Sequence, residues 1–498
     1  MAYRICMPSG FQLDAADREF WQLISRAAFA NPFSPERREL DLRIAGTPET
    51  NLEKLAATVF ERVGKIEKED AANFRAYSGV DTEIMRTGFL FEVYHRFYEQ
   101  LDHLIQEQSR LGENNCPVPF ANELLALLAK RGFLKDEALR FFAIFYQMRR
   151  AYFFIVRGLI GQAPCMQELR RHLWNNVFTS DIRRYDRYLW NRMEDFSTLL
   201  LGETGTGKGA AAAAIGRSGF IPFDEKKNCF AESFAQNFVS MNLSQFPEAL
   251  IESELFGHKK GAFTGAIEAH EGAFALCSPH GAIFLDEIGD VSVPIQIKLL
   301  QILQERTFTP VGSHDKLRFR GRVIAATNKS LDELRREKLF WDDFFYRLCS
   351  DSILIPPLRQ RFQELPEEFD AMLEHLLSRM TGERAPELTP QVQKKLMACV
   401  GKDYAWPGNV RELEQAIRRI LLTERYDGEK ANGDLRSRLF TGIDAGSLDA
   451  DTVLSLYCRL LHERHGTFEA VASRTNLDPR TVKKYLAQAP ASPSQDRQ

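Results

Sequence analysis

The chain has 498 residues, too many for one hydrophobic core, and its formal net charge of −3 excludes a surface that is basic throughout. Hydrophobic residues at 44% and charged residues at 27% exclude wholesale disorder and a fibrous class. Eight cysteines, scattered from Cys6 to Cys458 without a CxxC pair, argue against a zinc site or a disulfide framework and fit a reducing, cytoplasmic setting.

The start, "MAYRICMPSGFQLDAADREF", has no apolar signal core. In residues 1–157 Leu52, Leu55, Val59 and Val63, and then Leu90, Val93, Phe97, Leu101 and Leu104, recur at spacings of three and four, which predicts amphipathic helices packed on one another. The apolar run "FFAIFYQMRRAYFFIVRG" carries Arg149 and Arg150 at its centre, which argues against a membrane span. Nothing in these stripes names an activity. A regulatory module that takes a signal ligand or partner protein and an oligomerisation segment fit them equally.

From about residue 158 short apolar runs end in glycine-rich or acidic turns: "STLLLGETGTGKG", "HGAIFLDEIGD" and "RVIAATNKS". Buried strands alternating with helices predict a parallel α/β sheet over 158–355. Residues 356–426 read as helical, 427–450 as a polar linker, 451–488 as a last helical domain and 489–498 as a disordered tail.

In "GETGTGKG" the residues Gly202, Glu203, Thr204, Gly205, Thr206, Gly207, Lys208 and Gly209 follow a strand and open a helix, the context of a phosphate-binding loop. Glycines turn backbone N–H groups inward onto phosphates, the helix N-terminus favours negative charge, and Lys208 reaches the terminal phosphates. Gly209 stands where such loops usually carry a magnesium-binding hydroxyl. Asp286 and Glu287 close the next apolar run, one carboxylate suited to magnesium and the next to deprotonating an attacking water. Asn242 and Asn328 end strand-like runs, where an amide can position water or the γ-phosphate or simply make a turn. Arg347 in "FFYRL" and Arg411 in "WPGNVREL" are candidates for the positive charge that phosphoryl transfer needs.

"GETGTGKG", "ESELFGHKKGAFTGA", "GAIFLDEIGD", "QIKLLQILQERTFTPVGS", "VIAATN", "FFYRL", "IPPLRQR" and "WPGNVREL" stand in the order of the sigma-54-dependent transcription activators, the bacterial enhancer-binding AAA+ proteins, which the chain resembles over roughly residues 161–424. The resemblance implies ATP at Gly202 to Lys208, magnesium at Asp286, and Glu287 acting on water while pairing with Asn242. It implies Asn328 and Arg411 as the two nucleotide sensors. It makes Arg347 a finger donated to a neighbouring subunit in a homo-oligomer, dimer to hexameric ring. Gly261, Ala262, Phe263, Thr264, Gly265 and Ala266 would touch the sigma-54 RNA polymerase holoenzyme. Three departures stand out: Gly209 where the family has glutamate, Trp341 where it has a second arginine, and extra residues in "TSDIRRYDRYLWNRMED" and "GFIPFDEKKNCFAES", expected as surface elaborations. The N-terminal segment lacks the pattern of a phosphoacceptor receiver.

"TFEAVASRTNLDPRTVKKYLAQ" reads as two short helices about a turn at Asn476 to Asp478, with Arg480, Thr481, Lys483 and Lys484 opening the second, and resembles a Fis-type helix-turn-helix for double-stranded upstream DNA. The combined expectation is an ATP-hydrolysing activator that opens sigma-54 promoters. A repressor or scaffold that has lost turnover, and a remodelling ATPase with another protein target, are the alternatives.

Overall fold

The computed structural model describes residues 11–46, 52–336, 339–401, 404–426, 428, 439–440, 442–443 and 448–487. Much of the expected linker and the whole expected tail, 489–498, lie outside them. The chain forms two compact units.

The first unit, running to Arg384 and taking in Gly408–Leu413, is built on a parallel five-stranded sheet. Its strands are β1 (Thr198–Leu201), β4 (Phe238–Asn242), β5 (Ala282–Asp286), β8 (Arg322–Thr327) and β9 (Asp351–Leu354), in the order β4-β5-β8-β1-β9. The strands on either side of the sequence-predicted three, β4 and β9, are half-polar edges, so their apolar signal is weak. Burial alternates with the pleat. Leu199, Leu201, Ile283, Leu285, Val323 and Ala325 enter one core with helices Val293–Glu305 and Asp342–Leu348. Leu200, Phe284, Ile324 and Ile353 enter the other.

That second core is shared with the N-terminal helices α1 (Ala15–Phe29), α2 (Pro35–Ala45), α3 (Leu52–Lys68), α4 (Val80–Arg96), α5 (Tyr98–Leu111), α6 (Ala121–Lys130), α7 (Lys135–Gly158) and α8 (Pro164–Phe178). The helical prediction for this segment is therefore met, but the boundary expected at 157/158 falls inside one continuous core. α7 lies against the helix Lys208–Gly216 that follows the glycine loop.

The two extra segments are the reason, and their reading as surface elaborations is corrected here. "GFIPFDEKKNCFAES" forms a hairpin of β2 (Phe223–Asp224) and β3 (Cys229–Phe230). Phe142 of α7 packs on Phe223 and Phe230 at ring distances of 4.8 and 5.3 Å, and Tyr146 stacks on Phe230 at 4.0 Å. From the other segment the fully buried Tyr185 donates to Gln147 Oε1 at 2.7 Å. Each such aromatic burial contributes roughly 1.5–3 kcal/mol, so both insertions hold the helical layer to the sheet.

Arg150, which as a sequence feature only argued against a membrane span, is fully buried and donates to the carbonyls of Arg217 (2.8 Å) and Gly219 (2.6 Å), while Gln147 donates to Ser218 O (2.8 Å). These carbonyls follow the C-terminus of the glycine-loop helix, where orphan acceptors and the negative dipole end favour a cation. Burial pulls the Arg150 guanidinium down to about 10. Among the described residues no helix is long and apolar enough to cross a membrane.

The second unit, Ala385–Pro407 and Glu414 onward, contains helix Leu388–Val400 and the three helices Ala450–His465, Phe468–Thr475 and Pro479–Ala487 around Cys458, Leu461, Val471, Ala472 and Val482. Asp449 and Thr467 cap the first two of these three through their side chains. Asn476, at φ 54°, makes the turn before the third.

Candidate nucleotide site and effector loop

The glycine loop begins where β1 leaves the sheet. Gly202, Gly205 and Gly207 have φ of 152°, 79° and 106°. Gly205 has no room for a side chain: a Cβ there would lie 2.2 Å from Gly408 O and 3.0 Å from Arg411 Cβ. The turn Gly408–Arg411 is thus pressed onto the loop, with Val410 N–H donating to Gly205 O at 3.1 Å. Gly209 is exposed and nothing but Phe284, 3.9 Å away, approaches its Cβ position. A side chain could therefore leave the backbone at 209 without a close contact at its Cβ.

Lys208 is buried and donates to Gly202 O (2.8 Å) and Glu203 O (3.3 Å), so its ammonium spans the mouth of the loop. Burial lowers its pKa, against the pull of Glu287 and Asp286. Thr206 donates to Glu203 O at 2.8 Å and so closes the loop's first turn. Opposite, Asp286 ends β5, in register with Asn242 at the end of β4. Glu287 turns sharply out of the strand at φ 56°, an uncommon conformation for a non-glycine residue. One of its carboxylate oxygens is buried without a hydrogen-bond partner. Burial raises the Glu287 pKa, offset in part by Lys208 and by the backbone of Asn328. Asn328 follows β8 and its amide donates to Thr204 Oγ1 at 3.5 Å.

The structure therefore brings Gly202 to Lys208, Asp286, Glu287, Asn328 and Arg411 around one loop. Asn242 is adjacent through its strand, but its side-chain oxygen accepts from Ser244 N–H (3.0 Å) and Oγ (2.7 Å) rather than meeting Glu287. Arg347 is exposed on helix Asp342–Leu348 and donates to Leu303 O at 3.1 Å. Its own carbonyl accepts from Ser197, which precedes β1, so Arg347 sits at the opposite end of that strand from the glycine loop.

Two residues at the site were not singled out from sequence. Arg359 makes a bidentate pair with Glu203 at 2.7 and 2.5 Å. Asn409, buried at φ 53°, donates to Glu203 Oε2 (3.2 Å) and Thr204 O (3.1 Å) and accepts from Leu358 N–H (2.8 Å). Both lie inside motifs quoted above, "IPPLRQR" and "WPGNVREL", beside the residues that drew attention. Glu203 is held below the usual carboxylate range by Arg359 first.

The insertion "GHKKGAFTGAIEAHEG" folds as a braced loop. Gly261 and Gly265 have φ of 81° and 104°, and Gly261 N–H donates to Ala266 O at 2.8 Å while Ala266 N–H donates to Phe263 O at 3.0 Å. Those bonds make a closed turn with Ala262, Phe263 and Thr264 at its tip. Phe263 is 41% exposed and rests edge-on against His258 at 4.9 Å. His258 is fixed by Ser253 Oγ (2.7 Å) and Glu268 O (3.0 Å), and Lys259 pairs with Asp315 at 2.6 Å. In the second unit Arg480, Lys483 and Lys484 are exposed and Thr481 is half-buried on helix Pro479–Ala487, while Val482 between them points into the core.

Residues 180–353 match the family model described as the sigma-54 interaction domain, and residues 359–442 that of the AAA+ ATPase lid domain. The DNA-binding transcriptional regulator NtrC of Azospirillum brasilense is 38% identical over 262 residues, 53% of this chain and 47% of that protein. The Nif-specific regulatory protein of Bradyrhizobium diazoefficiens is 41% identical over 264 residues, 53% of this chain and 39% of that one. The chain thus spans less than half the length of these curated relatives. The crystal structure of NtrX from Brucella abortus aligns with a TM-score of 0.39 at 20% identity, covering 73% of this chain and 79% of that one. Residues 180–353 and 359–442 thus carry a sigma-54 interaction domain followed by an AAA+ ATPase lid domain, the segment that the chain shares with these transcriptional regulators.

Proposed function

We propose that this protein is an ATP-hydrolysing transcription activator that remodels sigma-54 RNA polymerase from the closed to the open promoter complex. The observation that carries the reading is Glu287: a carboxylate turned out of its strand in a left-handed backbone, half-buried, with one oxygen unpartnered and facing the same loop as Lys208. The backbone N–H groups of the glycine-rich turn Gly202 to Gly207 cradle phosphates, and Lys208 leaves Gly202 O and Glu203 O to meet them. Glu287, its proton affinity raised by burial, takes the proton of the attacking water, and the Asn328 amide orients the γ-phosphate or that water. The donor set fits magnesium: Asp286 offers a half-buried carboxylate oxygen beside the loop, and magnesium supplies charge neutralisation on the phosphates when bound.

Arg411 reads nucleotide from the turn that presses on Gly205, with Asn409 and Arg359 as the struts that hold that turn. Arg347, remote from its own glycine loop, serves a neighbouring subunit in a homo-oligomeric ring. The loop Gly261–Ala266 is the polymerase contact. The exposed Arg480, Lys483 and Lys484, with Thr481, contact upstream double-stranded DNA, the outward face of a helix held by Val482. Glu287→Gln tests the reading: ATP still binds, hydrolysis falls by roughly 10²–10⁴-fold, and open-complex formation on a sigma-54 promoter stops. Hydrolysis within a few-fold of wild type would overturn it.

A further inference from the structure

The N-terminal helical layer encloses a cavity of about 300 Å³, within the size range of small-molecule sites. Helices α2, α3, α4, α5, α7 and α8, and the turn after α1, contribute to its wall. The wall is aromatic, through Tyr94, Tyr98, Tyr152 and Trp174, and it is cationic, through Arg37 and Arg149. Asp41 is the one acid in the lining and is already paired with Arg37 at 2.7 Å. Arg149 is held by Asp102 from outside the lining, with contacts of 2.5–2.8 Å. His95 adds no charge, because burial keeps its imidazole neutral and its Nδ1–H donates to Phe91 O at 2.7 Å.

Trp174 is 2% exposed, yet its indole N–H has no hydrogen-bond partner among the described residues. A buried donor of this kind is rare unless something not yet present satisfies it. We propose that this cavity is a binding site for a small organic anion with a flat apolar body, of the aromatic carboxylate class. The carboxylate lies toward the Nη2 end of Arg37 and the Nη1 end of Arg149, because Asp41 and Ala27 O take Arg37 Nε and Nη1 and Asp102 takes Arg149 Nε and Nη2. The body packs between the tyrosines and Trp174. Inorganic phosphate fits poorly, because the aromatic walls would strip its hydration without replacing it.

The same walls continue into the ATPase core. Arg149 adjoins Arg150, which holds the carbonyls after the glycine-loop helix. Trp174 lies two residues before Asn176, whose amide donates to Thr198 of β1 at 3.0 Å and to Asp351 of β9 at 2.6 Å. Occupancy therefore shifts elements that carry the nucleotide loop and changes ATP turnover. This second part rests on the ATPase reading, whereas binding itself does not.

Isothermal titration of the full-length protein with benzoate, phenylacetate, benzamide and inorganic phosphate tests the site. At least one carboxylate binds at one per chain and about tenfold or more tighter than benzamide. Arg37→Gln loses about tenfold or more of that affinity, and Arg37→Lys, which keeps the charge but not the planar guanidinium, falls between Arg37→Gln and wild type. Trp174→Phe keeps the melting temperature and weakens the carboxylate. The site is overturned if neither carboxylate binds, if benzamide or phosphate binds as tightly, or if Arg37→Gln is silent. Carboxylate binding with an unchanged ATPase rate removes the coupling. Carboxylate binding to a protein that hydrolyses no ATP in either state counts against the ATPase reading and leaves the site standing.

Discussion

The face of the glycine-loop helix that meets α7 and the insertion that carries Phe263 are attached to the same sheet by opposite means. Phe142, Tyr146 and Tyr185 are removed from water, and Arg150 and Gln147 answer carbonyls that have no other reason to be satisfied there. The insertion is tied instead by backbone hydrogen bonds, the polar contacts of Lys259 with Asp315, His270 with Glu254 and His258 with Ser253 and Glu268, and ring contacts of His258, with Phe263 and Ile267 left in solvent. Disrupting the first removes hydrophobic burial that the fold requires. Disrupting the second removes contacts that water can largely replace, which is what a segment that must exchange partners requires.

That contrast can be broken at four points. Phe142→Ala empties space among Phe223, Phe230 and Phe120 and is expected to cost about 3–5 kcal/mol, measured by denaturant unfolding; a loss under about 1 kcal/mol would mean that the helical layer is not seated on the hairpin. Arg150→Met keeps the volume but leaves the Arg217 and Gly219 carbonyls without their charged donor, with an expected loss of roughly 2–3 kcal/mol and weaker nucleotide binding at a loop it never touches.

His95 sharpens the comparison through pH. Its folded pKa is depressed to about 3 by burial, below the ordinary value of roughly 6.5. The unfolded chain therefore binds the extra proton first. The contribution is complete above the unfolded pKa and is lost as pH falls toward the folded one, at no more than about 1.4 kcal/mol per pH unit. His95→Gln should flatten that part of the melting-temperature profile between pH 7 and pH 4, conditions set by the experimenter around roughly the pKa pair above. Phe263→Ala is the smallest effect on the fold, within about 0.5 kcal/mol, together with loss of promoter opening; destabilisation comparable to Phe142→Ala would mean that the loop is structural.

The parts legible in the sequence were those whose chemistry depends on local spacing. A glycine loop between strand and helix, a carboxylate pair after an apolar run and two short helices about a turn all declare themselves from neighbouring residues. Arg359 and Asn409 did not, because each acts on Glu203 across more than 150 residues of chain, and a motif shows which residues are neighbours in sequence, not which one holds the loop. The two insertions were illegible for the same reason: Tyr185, Phe223 and Phe230 read as exposed until the helix that covers them is in place. In sequence Arg150 shows only a charge that forbids a membrane span, because the carbonyls it answers lie 67 and 69 residues further on.

The hairpin Phe223–Phe230 also bears on how this protein can be recombined. Here a transplant at residue 157 would leave Phe223, Phe230 and Tyr185 facing solvent on the acceptor and Phe142 and Tyr146 facing nothing on the donor. The transferable cassette has to include the hairpin and the Tyr185 turn, so the join between the helical layer and the sheet lies within residues 180–353, the segment matched as the sigma-54 interaction domain, rather than before it.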